Sequence, residues 1–77
     1  MSDVYLTRVD ASQNMARYYR ITVQPTLFGE WSVVREWGRI GRSGQVCAVP
    51  YQSEREATEA MTMIKRQKSR RGYGALN

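Results

Sequence analysis

The chain has no histidine and a single cysteine, Cys47, among its 77 residues. Without histidine there is no Ser–His or Cys–His pair to activate a nucleophile. A lone cysteine cannot close an internal disulfide, and with no histidine beside it a zinc ion lacks its usual ligands. Cys47 lies in the apolar run Val46-Cys47-Ala48-Val49 and reads as a structural thiol of a reducing compartment. No apolar stretch approaches the roughly 20 residues that span a membrane. The start, Met1-Ser2-Asp3-Val4, lacks the basic and apolar regions of a signal peptide, so the expected location is the cytoplasm. Glu30 and Glu36 share one parity of one strand but have no companion pocket in so short a chain. An enzyme is therefore not expected, and no cofactor or metal is implied.

Acidic residues are also scarce. Seven Asp and Glu stand against twelve Lys and Arg, for a net charge of +5 and a pI near 9.9. Ten of those twelve cations are arginine. Arginine is weakly hydrated and forks onto phosphate or carboxylate, so the surplus favours an anionic partner over mere solubility. A hydrophobic fraction of 42% is that of a soluble globule. The length suits one domain, 1–77, that buries only about 60% of its unfolded surface.

Four strands and one helix follow from the pattern. Residues 3–9 are rich in β-branched and aromatic types. In 16–24, Tyr19, Ile21 and Val23 alternate with Tyr18, Arg20 and Thr22, giving one apolar face. Thr26-Leu27-Phe28-Gly29 turns the chain into 30–37. There Trp31, Val33 and Trp37 share one parity while Val34 takes the other, which predicts either a bulge or two partly covered faces. A fourth strand spans 45–51. Ser53 and Glu56 form a capping box. Ala57, Ala60, Met61 and Ile64 then make one apolar helical stripe, with the Met61-Met63 pair read as core filler and, as the alternative, a soft interface. Gly72 is placed to end the helix. The fold class is α+β: a four-stranded antiparallel meander with a C-terminal helix on one face, the tail able to extend the sheet. One helix covers one face, so the other is left to solvent or a ligand.

Between the third and fourth strands lies Trp37-Gly38-Arg39-Ile40-Gly41-Arg42-Ser43-Gly44-Gln45. Gly38, Gly41 and Gly44 are turn residues. No βαβ unit follows them, so they are not a dinucleotide fingerprint. Trp37 offers a stacking plate, and Arg39 and Arg42 offer planar cations. The run resembles the signature of the WGR domain. Asn14 before Tyr18-Tyr19, Phe28-Gly29-Glu30-Trp31, Ala57, Lys68 and Gly72-Tyr73 agree with that family in order, so the resemblance covers roughly 5–74. WGR domains occur in poly(ADP-ribose) polymerases and in small bacterial proteins. The resemblance implies an antiparallel sheet with a helix against it. It also implies contact with DNA near a strand break, with the Trp role falling on Trp37 and the Arg role on Arg39.

The expected function is non-sequence-specific binding of nucleic acid, DNA rather than RNA. The candidate residues are Trp37, Arg39 and Arg42 on the loop, Arg20 and Arg35 on the uncovered sheet face, and Lys65, Lys68 and Arg71 at the helix end. For the helix-end cluster the competing reading is compensation of the helix dipole. Trp37 is expected to be partly exposed; fully buried, it would be core. Tyr5, Tyr18, Tyr51 and Tyr73 are read as framework, with stacking of a base open only to one that lies on the uncovered face. The alternative function is a protein-interaction module that docks an acidic partner.

Overall fold

A computed structural model describes residues 2–75, so Met1, Leu76 and Asn77 of the expected domain lie outside the described residues. Strand β1 (Ser2–Asp10) leads through a short 3-10 turn (Ala11–Gln13) into β2 (Met15–Pro25). Strands β3 (Trp31–Arg39) and β4 (Gln45–Tyr51), helix α1 (Glu54–Arg70) and β5 (Gly74–Ala75) follow. The sheet order is β4-β3-β2-β1-β5, and every pairing is antiparallel. The expected meander is present. The chain after the helix adds a fifth, two-residue strand, Gly74 pairing with Thr7 and Ala75 with Leu6.

Each connection has a local cause. The Asp10 carboxylate accepts from the Ser12 backbone N–H at 3.1 Å and the Ser12 hydroxyl at 2.6 Å, and Asn14 takes the left-handed conformation (φ 52°) that sends β2 back. The Thr26 hydroxyl accepts from the backbone N–H of Phe28 and of Glu30, each at 3.2 Å. That hairpin therefore holds Leu27 and Phe28 out in solvent by its own hydrogen bonds, 99% and 86% exposed. The Ser53 hydroxyl caps α1 by accepting from the Glu56 N–H at 3.2 Å. Glu56 returns to the N–H of Gln52, one residue before the position a capping box uses.

The β2–β3 register is continuous from Pro25↔Trp31 to Arg17↔Arg39, and the β3–β4 register is equally unbroken. There is no bulge, so Val34 lies half-buried on the open face, opposite Thr22 and Ala48. The same alternation corrects the expectation for Arg35. It shares the parity of Val33 and Trp37 and sits on the helix-covered face, between Ile21 and Cys47, donating to the Cys47 thiol at 3.7 Å. The open face is also less basic than expected, because Arg20 is held bidentate by Asp3 at 2.9 and 3.3 Å. Met63 is exposed rather than core, since at 100° per residue it falls across the helix from Met61.

The core lies between α1 and the sheet: Leu6, Tyr19, Ile21, Val23, Val33, Ala57 and Met61. The helix ends in a Schellman motif. The Gly72 N–H donates to the Ser69 carbonyl at 3.1 Å and the Tyr73 N–H to the Lys68 carbonyl at 3.0 Å, with Gly72 at φ +96°. In the signature loop only Gly41 has a positive φ, +88°. Gly38 and Gly44 are required by close approach instead. A Cβ on Gly44 would overlap the Trp37 carbonyl and lie 2.6 Å from the Tyr18 hydroxyl. Gly44→Ala is therefore expected to cost about 2–3 kcal/mol. Gly74→Ala, where a Cβ meets nothing within 4 Å, is expected to stay within about 0.5 kcal/mol of the wild type. Paired urea melts measure both, and equal midpoints for the two variants would remove the packing role of Gly44.

Candidate nucleic-acid interface

The register that builds the sheet also builds a cationic row. Arg8 lies directly opposite Arg17, and Arg17 directly opposite Arg39. All three stand on the helix side, beyond the apolar stripe of their strands. Like charges placed directly opposite one another are destabilising. Among the described residues no carboxylate pairs with any of the three; the ion pairs found are Arg20–Asp3 and Arg55–Glu59. Arg39 is steered by donating to the Asn14 carbonyl at 3.3 Å, the carbonyl of the left-handed residue just before β2. Glu36, two positions inward from Gly38, faces the other side and accepts from the Tyr18 hydroxyl at 3.0 Å.

Next to the row is an aromatic wall. Tyr19 pairs with Trp37 across β2 and β3, their rings near-parallel (17°) with centroids 5.8 Å apart. Tyr73 meets Tyr19 edge-on at 6.2 Å. Trp37 is half-buried, with one flank packed on the core and another open to the cleft.

The helix supplies the remaining cations. The stripe Ala57, Met61, Ile64 continues one turn further to Lys68, which replaces an apolar residue at the helix end. Its Nζ lies 4.5 Å from the Tyr19 ring centroid and 5.8 Å from that of Tyr73, a geometry in which the ring faces attract the ammonium. Burial, then the charges of Arg71 and Arg35, hold Lys68 below the ordinary lysine range. Arg8 packs against Gly72, where a Cβ would come 3.2 Å from its Nε.

These groups surround a cleft of about 510 Å³. Arg8, Arg17, Arg39, Lys68 and Arg71 give it five cations, and Tyr19, Trp37 and Tyr73 give it three aromatic rings. Such a cleft, with no acid among its lining residues, can hold a phosphodiester and a flat group together.

Of the residues expected from sequence, Trp37, Arg39, Lys68 and Arg71 meet in this cleft. Arg42 lies across the sheet, in a shallower concavity with Arg20. Arg35 is under the helix, and Lys65 is exposed and outside the cleft lining. Arg8 and Arg17 join the site without being singled out by the sequence pattern, and Tyr19 and Tyr73, read there as framework and family landmarks, line it as well. Arg17 and Arg39 do carry a signal, because each continues the parity of an apolar strand face past its last apolar residue. Arg8 carries a weaker one, visible only once β1 is set in register with β2.

The comparisons with known proteins agree with this architecture. One relative, a protein of Sinorhizobium fredii described as uncharacterized protein y4dW, is 43% identical over 70 residues. The match takes in 91% of this chain and 34% of that protein, so the chain spans about a third of the length of the relative it matches. The family model described as the WGR domain matches residues 2–77, and the chain belongs to that family.

Proposed function

We propose that the cleft binds nucleic acid, DNA rather than RNA, through phosphate contacts and one packed ring, without reading sequence and without catalysis. The observation that carries this reading is the convergence of five cations lacking a carboxylate partner among the described residues with an aromatic wall. An arrangement that costs stability needs a ligand that offsets the repulsion, and a polyanion does so. The WGR signature supports DNA as the polyanion. Trp37 serves as the plate, Arg39 as the fork onto phosphate, and Arg17, Lys68 and Arg71 as the surrounding charge. No helix or ribbon is shaped to enter a major groove, which argues against base readout.

Three outcomes are expected. Arg17→Gln removes an exposed cation without disturbing the core, and should lower the slope of log K against log[salt] on duplex DNA by about 0.9, the share of one neutralised phosphate. A slope that is shallow in the wild type assigns the cleft to an acidic protein surface instead. Arg39→Lys should lose most of the binding that Arg39→Ala loses, because the fork and its tie to Asn14 set geometry that a point charge lacks. Thermal melts of both variants separate this from loss of fold. Trp37→Leu keeps an apolar side chain against Tyr19 and removes the plate, and should weaken binding by about 1–3 kcal/mol.

Binding should also depend on pH through Lys68. Its ammonium is depressed in the free protein and is restored beside a phosphate, so the bound state holds the proton more tightly. Its contribution to affinity is complete below the free-state value and is lost as pH rises through the higher value of the bound state. The wild type is therefore expected to weaken at a lower alkaline pH than the Lys68→Arg variant. Superimposable pH profiles would show that Lys68 touches no phosphate.

A further inference from the structure

The face of the sheet that carries no helix has its own ring system and its own cation at the same end of the molecule. Tyr5 and Tyr18 stand parallel on this face, 5.9 Å between centroids and 5° between planes. Tyr18 is buried, backed by Gly38 and Gly44 of the signature loop, whereas Tyr5 remains 38% exposed. A concavity of about 500 Å³ lies between these rings and Gly41-Arg42-Ser43. Arg42 is exposed at its rim, its backbone held by an N–H bond to the Arg39 carbonyl at 3.1 Å. No carboxylate pairs with Arg42 among the described residues. At the floor, one Glu36 oxygen takes the Tyr18 hydroxyl, and its other oxygen makes no hydrogen bond among the described residues.

We propose that this concavity is a second nucleic-acid contact, which takes one unpaired base from the single-stranded extension of a DNA end. The base stacks on Tyr5, its phosphate lies at Arg42, and its exocyclic amino group donates to Glu36. Each part answers a chemical requirement. A tyrosine braced by a second, parallel ring is a rigid plate for a base. Glu36 lies directly opposite Arg20, which also lines the concavity but is already held by Asp3, so the arginine left for a phosphate is Arg42 at the rim. The Glu36 carboxylate accepts from the amino group of cytosine or adenine, which thymine lacks. Continuity with the cleft supplies the substrate class. Gly38 and Arg39 of the signature loop line the cleft, and Gly41, Arg42 and Ser43 of the same loop line the concavity. The two sites are therefore back to back across one sheet, and a duplex end held by one strand in the cleft delivers its unpaired strand around the loop. This inference rests on the reading of the cleft as a DNA site.

The test is an anisotropy titration of the whole chain against three labelled duplexes: blunt, with a three-nucleotide dA extension, and with a dT extension. The wild type is expected to bind the dA extension at least about 5-fold more tightly than the blunt end, the low end of one stacked base, and dT less tightly than dA. Tyr5→Val keeps a strand-forming residue and should bring the dA duplex down to blunt affinity while blunt affinity stays unchanged; Tyr5→Phe should retain the gain. Arg42→Gln should lose part of it. A wild type that binds blunt and extended ends equally overturns this site while leaving the cleft intact. So does a Tyr5→Val variant that weakens both duplexes alike while melting like the wild type. Blunt-end binding that is unchanged in Arg39→Ala overturns the cleft reading, and with it the continuity from which this site takes its substrate class. Absence of all binding overturns both.

Discussion

The unbroken register of β2 against both neighbours is the constraint on which the rest depends. With no bulge in either pairing, every side chain of three central strands is assigned to a face by parity alone. One face then receives Leu6, Tyr19, Ile21, Val23 and Val33, and α1 covers them. The helix has 17 residues, roughly 25 Å at 1.5 Å each. Strand β2 has 11 residues, roughly 36 Å at 3.3 Å each. The helix follows β4, packs on β2, β3 and β4, and hands the chain to β5 beside β1. The uncovered end is where Arg8, Arg17 and Arg39 stand in one row. A one-residue slip of β2 would turn its side chains over, bringing the Arg20 face under the helix and dissolving both the core and the row.

Several features are legible in the sequence because they are local. The alternation of Tyr19, Ile21 and Val23, the cap at Ser53, the stripe from Ala57 to Ile64 and the stop at Gly72 all depend on neighbours within a few residues. The elements that depend on pairing are harder to read. Sequence alone sends Arg35 to the open face because Val34 blurs the alternation of β3. In the fold, Val34 is simply a half-buried residue of the open face, and Arg35 follows Val33 and Trp37. Arg8 belongs to the site through its opposition to Arg17, a relation between strands that no periodicity within β1 encodes. Tyr73 joins the site because the Schellman motif turns it onto Tyr19, a consequence of the Gly72 conformation rather than of hydropathy. Met63 shows the converse: its residue type suits the core, but helical geometry places it outside.

Concentrating charge at one end has an energetic cost that the fold absorbs in stages. Lys68 occupies the last position of an apolar stripe, where burial and the nearby arginines disfavour its proton; the faces of Tyr19 and Tyr73 offset part of that. Arg39 is tied to a backbone carbonyl rather than to an acid, which fixes its direction without neutralising it. On the opposite face the acids are used differently. Asp3 neutralises Arg20 and Glu36 takes the Tyr18 hydroxyl, so that Arg42 is left as the rim cation of that concavity. Such an allocation leaves five cations without a carboxylate partner among the described residues on the helix side of the loop.

The acids of the helix start, Glu54 and Glu56, and Glu30 of the β2–β3 hairpin sit at the far end of a body about 45 Å long. The five cleft cations sit at the near end. Asp10, which feels the charge of Arg8, and Arg55 among the helix-start acids reduce this asymmetry, yet the cleft end keeps the surplus of positive charge. Within the roughly 8 Å over which charge is felt at physiological salt, a polyanion exerts a torque on the molecule. With the polyanion proposed above as the cleft's ligand, this asymmetry would favour a cleft-first approach and shorten the rotational search that ordinarily slows the meeting of two specific patches.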